Sequence, residues 1–142
     1  MSNMLGRSKI FLRQSKDCFG KIAEDDCNMD IACFNAHQAL ELLLKHIIES
    51  YGLQAPKTHM IDDLLVYAET GGFKYSDSDN LKNLAWEVNK WETVSRYGSG
   101  IKTTTDKIKQ VYSHIQKIEN EFLGSVNKSS FSSLKSLSNK DK

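Results

Sequence analysis

Residues Ala32 to Ile48 read ACFNAHQALELLLKHII, and the order of side chains in that stretch decides the fold. Ala32, Cys33, Phe34, Ala36, Ala39, Leu40, Leu42, Leu43, Leu44, Ile47 and Ile48 wrap most of the circumference of a helix predicted over about Met29 to Tyr51. A helix that is apolar nearly all round has neighbours on several sides, so this one is expected at the centre of a helical bundle. Asn28 is the expected N-cap, and Gly52 supplies the C-terminal stop.

The flanking segments supply those neighbours. From about Asn3 to Ala23, the residues Leu5, Phe11, Leu12, Cys18, Phe19, Ile22 and Ala23, with Ser8 and Ser15 between them, fall on one stripe at helical spacing. Pro56 and Thr58 mark the next start, with Thr58 as N-cap, Asp62 and Asp63 in the electropositive first turn, and Gly71-Gly72 as the end. A fourth helix begins at Asp77 to Asn80, carries Leu81, Leu84, Ala85, Val88 and Trp91 on one face, and stops near Tyr97. A fifth starts at a capping box formed by Thr103 and Asp106 and places Ile108, Val111, Tyr112, Ile115, Ile118, Phe122 and Leu123 inward. The fold class is therefore all-α: about five helices in an up-and-down bundle over residues 1–125. Residues 126–142, rich in Ser and Lys, are expected to form a disordered tail.

Composition narrows the function classes. Hydrophobic residues are 39% and charged residues 26%, a globular balance in a chain long enough for one core and too short for two. No apolar run approaches the roughly 20 residues of a membrane span. The opening MSNMLGRSKIF has no apolar stretch ahead of a small-residue cleavage site, so no secretory signal is expected. Cys18, Cys27 and Cys33 form neither a disulfide framework nor a zinc-binding pattern, which fits reduced cysteines in the cytoplasm. Residues 124–142 hold four lysines and one aspartate, so the net charge of +1 leaves the rest of the chain about −2. That body lacks the basic footprint of a module gripping a nucleic-acid duplex. No cofactor is implied.

Chemistry-bearing residues are few. Gln38, Glu41 and Lys45 lie within two turns of the otherwise apolar central helix. Glu41 and Lys45 have the spacing and order of a structural ion pair, or their face opens onto a groove or a partner. His59 follows Thr58 at a helix N-terminus, where imidazolium is disfavoured and a neutral ring can donate, accept, or simply lock the loop. His37 fits a polar rim beside Glu41, and His46 and His114 fit the surface or its boundary. No pair of histidines has metal-ligand spacing backed by carboxylates. Arg96 stands where the fourth helix meets a glycine-rich loop, able to clamp a phosphate or carboxylate or to neutralise the helix end. Trp86 points away from the apolar stripe of its helix, within roughly 20° of Tyr97 on a helical wheel, and marks either a second buried side or a protein interface.

Three pieces of the chain resemble the HEPN family of helical bundles. Gln38, Glu41 and Lys45 fall on that family's Gln-x-x-Glu-x-x-x-Lys signature after an aromatic residue, and PKTHMIDDLL from Pro56 to Leu65 resembles its Pro-Lys-Thr-His helix start, with Ile61 in place of leucine. Ser95-Arg96-Tyr97 resembles the Arg-Tyr at the end of its fourth helix, with Gly98 in place of proline. The resemblance spans about Leu5 to Leu123. It implies a homodimeric protein of a prokaryotic, toxin–antitoxin-like two-gene module, acting as binding or regulatory partner of a minimal nucleotidyltransferase. It also implies two alternatives, a ribonuclease toxin or a nucleotide-binding module.

The family's ribonucleases carry Arg-x4-6-His, whose arginine binds the scissile phosphate and whose histidine performs acid–base chemistry. Here YGSGIKTTTD follows Arg96, and neither Arg7 nor Arg13 has a histidine at that spacing. No catalytic residue is therefore assigned. The candidate ligand-binding set is Gln38, Glu41, Lys45, His59, Arg96 and Tyr97, and Trp86 is the candidate interface residue. The side-chain tips of Glu41, His59 and Arg96 are expected within about 10 Å of one another.

Overall fold

A computed structural model describes the backbone of residues 3–92 and 101–140 and the side chains of residues 3–92 and 104–126. The described residues form five α-helices: α1 (Met4–Phe19), α2 (Cys27–Ser50), α3 (Ile61–Gly71), α4 (Ser78–Val88) and α5 (Ile101–Lys140), with a 3-10 turn at Asn89–Glu92. The described residues form no strand. None of the described helices is long and apolar enough to cross a membrane.

The central position expected for the Ala32–Ile48 stretch is observed. Ala32, Cys33, Ala36, Ala39, Leu40, Leu43, Leu44, Ile47 and Ile48 are fully buried, and α2 packs against α1, α3, α5 and the 3-10 turn. Two small polar residues tie α1 to it. Ser8 donates to the carbonyl of Ala39 and Ser15 to that of Ala32, each at 2.6 Å. Carbonyls already engaged in the helix have a second lone pair to accept these bonds, so both buried hydroxyls are satisfied. Because Ser15 donates to Ala32, it accepts from the Tyr112 hydroxyl of α5 at 2.7 Å.

These contacts set the directions. Ser8 faces Ala39 and Ser15 faces Ala32, so α1 and α2 are antiparallel. Tyr112 lies beside Ser15 and Phe122 beside His46, so α5 runs in the same direction as α2. So does α3. Its first turn follows His59 beside Glu41, and its last residue, Gly71, lies against Tyr51 and Leu53. The non-helical connection after Tyr51 therefore travels back along α2 by about 15 Å, the length of ten helical residues, before α3 starts. Helix α4 returns antiparallel to α3, with Ser78 on Glu69 and Asn89 on Asp62.

Both glycine stops behave as expected. Gly52 and Gly72 have φ of 83° and 119°. At each, the following N–H bonds five residues back, Leu53 to Ile48 and Phe73 to Ala68, closing the helix with the left-handed residue that glycine alone adopts without strain.

The expected N-caps differ. Helix α2 begins at Cys27, and its first N–H is held by Asp25 Oδ1 at 2.9 Å, while Asn28 donates its side-chain amide back to Lys21. Thr58 accepts from Met60 N–H in a local turn ahead of α3. The α3 cap comes instead from Asn89, whose Oδ1 accepts Ile61 N–H at 2.8 Å and whose Nδ2 donates to Asp62. Helix α5 begins at Ile101, so Thr103 and Asp106 lie inside its first turns. The fourth helix stops earlier than the expected Tyr97: α4 ends at Val88 and gives way to the 3-10 turn at Asn89–Glu92, while Tyr97 itself lies outside the described residues. Leu123, expected inward, is instead exposed, since it lies beside Phe122 on the turn and only Phe122 reaches the core. The α5 backbone continues through the Ser/Lys-rich stretch to Lys140.

Candidate functional site

On α2, His37, Glu41 and Lys45 recur every four residues and share one face. The returning connection lays His59 across that face, because α3 must begin beside the middle of α2. Asn89 fixes the start of α3, and the 3-10 turn that follows brings Glu92 to the same place.

Glu41 is the hub, only 4% exposed. Its Oε2 accepts from Lys45 Nζ at 3.0 Å, and His59 Nδ1 lies 3.0 Å from Oε1 and 3.1 Å from Oε2. Facing a carboxylate, Nδ1 carries the proton it donates. The other ring nitrogen, Nε2, lies 3.6 Å from Glu92 Oε1, and the His59 side chain is 56% exposed. His59 is thus held on its inner side by a buried carboxylate and faces Glu92 on its more exposed outer side.

His37 does not sit on a polar rim. It is completely buried, and its Nε2 donates to the carbonyl of His59 at 2.9 Å. Burial lowers its pKa below the ordinary value of 6.5, against the opposing pull of Glu41. The ring is therefore neutral at pH 7, with a proton on Nε2. Its Nδ1 has no partner among the described residues and lies 3.8 Å from Glu41 Oε1. His114 is likewise buried rather than at the surface, bonded to the Tyr75 hydroxyl at 2.5 Å. His46 is half-buried, edge-on to Phe122.

Of the candidate residues, the fold brings Glu41, Lys45 and His59 together. Gln38 is half-buried one turn before Glu41 on α2. Arg96 and Tyr97, and with them the expected 10 Å convergence, lie outside the described residues. Trp86 is 71% exposed, which removes the alternative that it fills a second buried side of α4. Lys90 Nζ lies 3.5 Å from the centre of its ring.

Glu92 and Asn89 were missed by the sequence reading, and Glu92 changes the balance of charge. Among the described residues, the groups around His59 are Lys45 against the two carboxylates Glu41 and Glu92, a formal balance of −1 for these three. A weak signal existed: Glu92 precedes Arg96 by four residues, the spacing of a helical ion pair. Among the described residues no group of three or more His, Cys, Asp or Glu side chains could hold a metal ion.

Neither a curated protein nor a solved structure matches this chain. The family model described as HEPN domain matches residues 3–125, nearly the whole folded region, and the chain belongs to the HEPN domain family.

Proposed function

We propose that this chain is a binding or regulatory subunit of the HEPN class, the cytoplasmic partner of a minimal nucleotidyltransferase in a toxin–antitoxin-like module, and that it acts by association. One observation carries this reading: Glu41 and Lys45 are committed to each other and to His59. A lysine held 3.0 Å from a buried carboxylate is not a free phosphate ligand. The same pairing weighs against the nucleotide-binding alternative, which needs the charge of Lys45 and Arg96 for phosphates. In this reading Gln38, Glu41, Lys45 and His59 brace the junction of α2 with the start of α3, and Arg96 and Tyr97 join the set on the family resemblance alone. The exposed Trp86 then serves a protein contact, including that of a homodimer.

A second reading has its own support. A histidine oriented through Nδ1 by a buried carboxylate, its side chain 56% exposed and its Nε2 3.6 Å from Glu92, has the orientation of a general base. Such a dyad suits a ribonuclease lacking the Arg-x4-6-His pattern. Two measurements separate the readings. The chain, co-expressed with a nucleotidyltransferase encoded beside it, should co-elute in a defined stoichiometric complex, and failure to associate overturns the partner assignment. Purified alone, it should leave single-stranded RNA intact with or without divalent metal. Cleavage abolished by His59→Ala would establish the ribonuclease instead.

A further inference from the structure

A second constellation lies away from Glu41, between α4 and α5. Helix α4 packs on α3 and α5 on α2, and a cavity of about 440 Å³ opens between them. Its walls are Asp77, Asn80, Asn83 and Leu84 on one side and Lys107, Gln110, Ser113 and His114 on the other. One of these eight is apolar, so the space suits a polar occupant of small-molecule size.

Its inner wall is built rather than incidental. His114 is 6% exposed, and its Nδ1 lies 2.5 Å from the hydroxyl of Tyr75, itself buried. Burial lowers the His114 pKa and raises that of Tyr75, so both are neutral at pH 7. No other partner for the Tyr75 hydroxyl is present among the described residues. Its proton is therefore satisfied only by donation to Nδ1, since a buried donor left unmade is costly. The imidazole proton must then sit on Nε2, and that N–H is the donor His114 retains for a ligand.

Charge follows the same logic. Asp77 is held by Lys117 Nζ at 2.8 Å and by Asn80 Nδ2 at 2.6 Å, and these bonds lower its pKa. Its charge is therefore matched from outside the cavity wall. Among the described residues Lys107 is the one lysine or arginine lining the space, and no carboxylate pairs with it there.

We propose that the cleft between α4 and α5 binds a small molecule bearing an oxyanion, a phosphate monoester or a carboxylate, with Lys107 and the His114 Nε2–H on the anion. Gln110, Asn83 and Ser113 offer hydrogen bonds to the body of the ligand. The site is independent of the association proposed above.

The test uses the full-length chain with 15N-labelled histidine, titrated with inorganic phosphate and, separately, with acetate. The His114 resonance, assigned by its loss in His114→Gln, should shift saturably. Tighter response to phosphate assigns a phosphate ester, and tighter response to acetate a carboxylate. Lys107→Met should raise the half-saturating concentration about tenfold, the effect of one charge-assisted hydrogen bond. Lys109→Met, the same charge change at an exposed position off the cavity wall, should not. A linear response to both anions, or equal effects of the two lysine variants, overturns the proposal.

Discussion

At the residue scale, Glu41 shows how much one buried carboxylate organises. It binds its own helix through Lys45 and the connection ahead of α3 through His59. Glu41→Gln keeps the shape but leaves Lys45, whose side chain is 15% exposed, without its counter-charge. Loss of one member of a mostly buried pair is expected to cost about 2 kcal/mol, reduced from the fully buried case by solvent at Lys45. Urea denaturation checks it, and a loss under about 0.5 kcal/mol would mean the pair is not coupled to the fold. The Glu41–Lys45 pair and its reach to His59 were legible in the sequence because helical spacing and a helix start are local signals. His37 was not, because its partner is the carbonyl of a residue brought back by the connection.

The buried histidines also set a pH dependence. Burial lowers the pKa of both His37 and His114 below the ordinary 6.5. Between the lowered folded value and 6.5 the unfolded chain binds protons that the folded chain refuses. Stability is therefore fully present above about pH 6.5 and is lost as pH falls below it. Urea midpoints should be lower at pH 5.5 than at pH 7.5. Equal midpoints would require that these rings protonate as readily inside the fold as outside it.

At the element scale, five helices and both glycine stops could be read from periodicity and backbone chemistry, whereas the start of α3 could not. Its cap is supplied by Asn89, which lies 28 residues from Ile61 and becomes a neighbour only when α4 folds back. Asn89→Ala should cost about 1 kcal/mol, as loss of an N-cap does. It should also raise amide exchange at Ile61 and in the first turn of α3 specifically. Uniform exchange across the helix would assign Asn89 to packing instead. The Ser/Lys-rich stretch is a separate question, since α5 continues as helix to Lys140. Removing residues from Asn127 onward should leave the thermal midpoint nearly unchanged, because the stretch is poor in apolar surface that would offset ordering. A fall of more than about 4 °C, roughly 1 kcal/mol at this size, would show that it docks on the bundle.

At the scale of the whole molecule, the described surface leaves one large aromatic side chain, Trp86, 71% exposed. Trp86 projects from α4 while Leu81, Leu84, Ala85, Val88 and Trp91 of the same segment are buried in the core. Its removal should therefore leave the fold intact. Lys90 lies over the ring, a cation–π contact that orients the indole and adds on the order of 0.5–1 kcal/mol at an exposed site. A pre-oriented tryptophan with no role in the core fits the anchor of a protein–protein contact, where truncation costs on the order of 2 kcal/mol of association. Trp86→Ala should then weaken a homodimer by about thirtyfold in sedimentation equilibrium, that energy expressed as a dissociation constant. The circular dichroism spectrum should be unchanged. Lys90→Met should act in the same direction with a smaller effect. Should the wild-type chain sediment as a monomer at tens of micromolar, Trp86 is not the anchor of a homodimer.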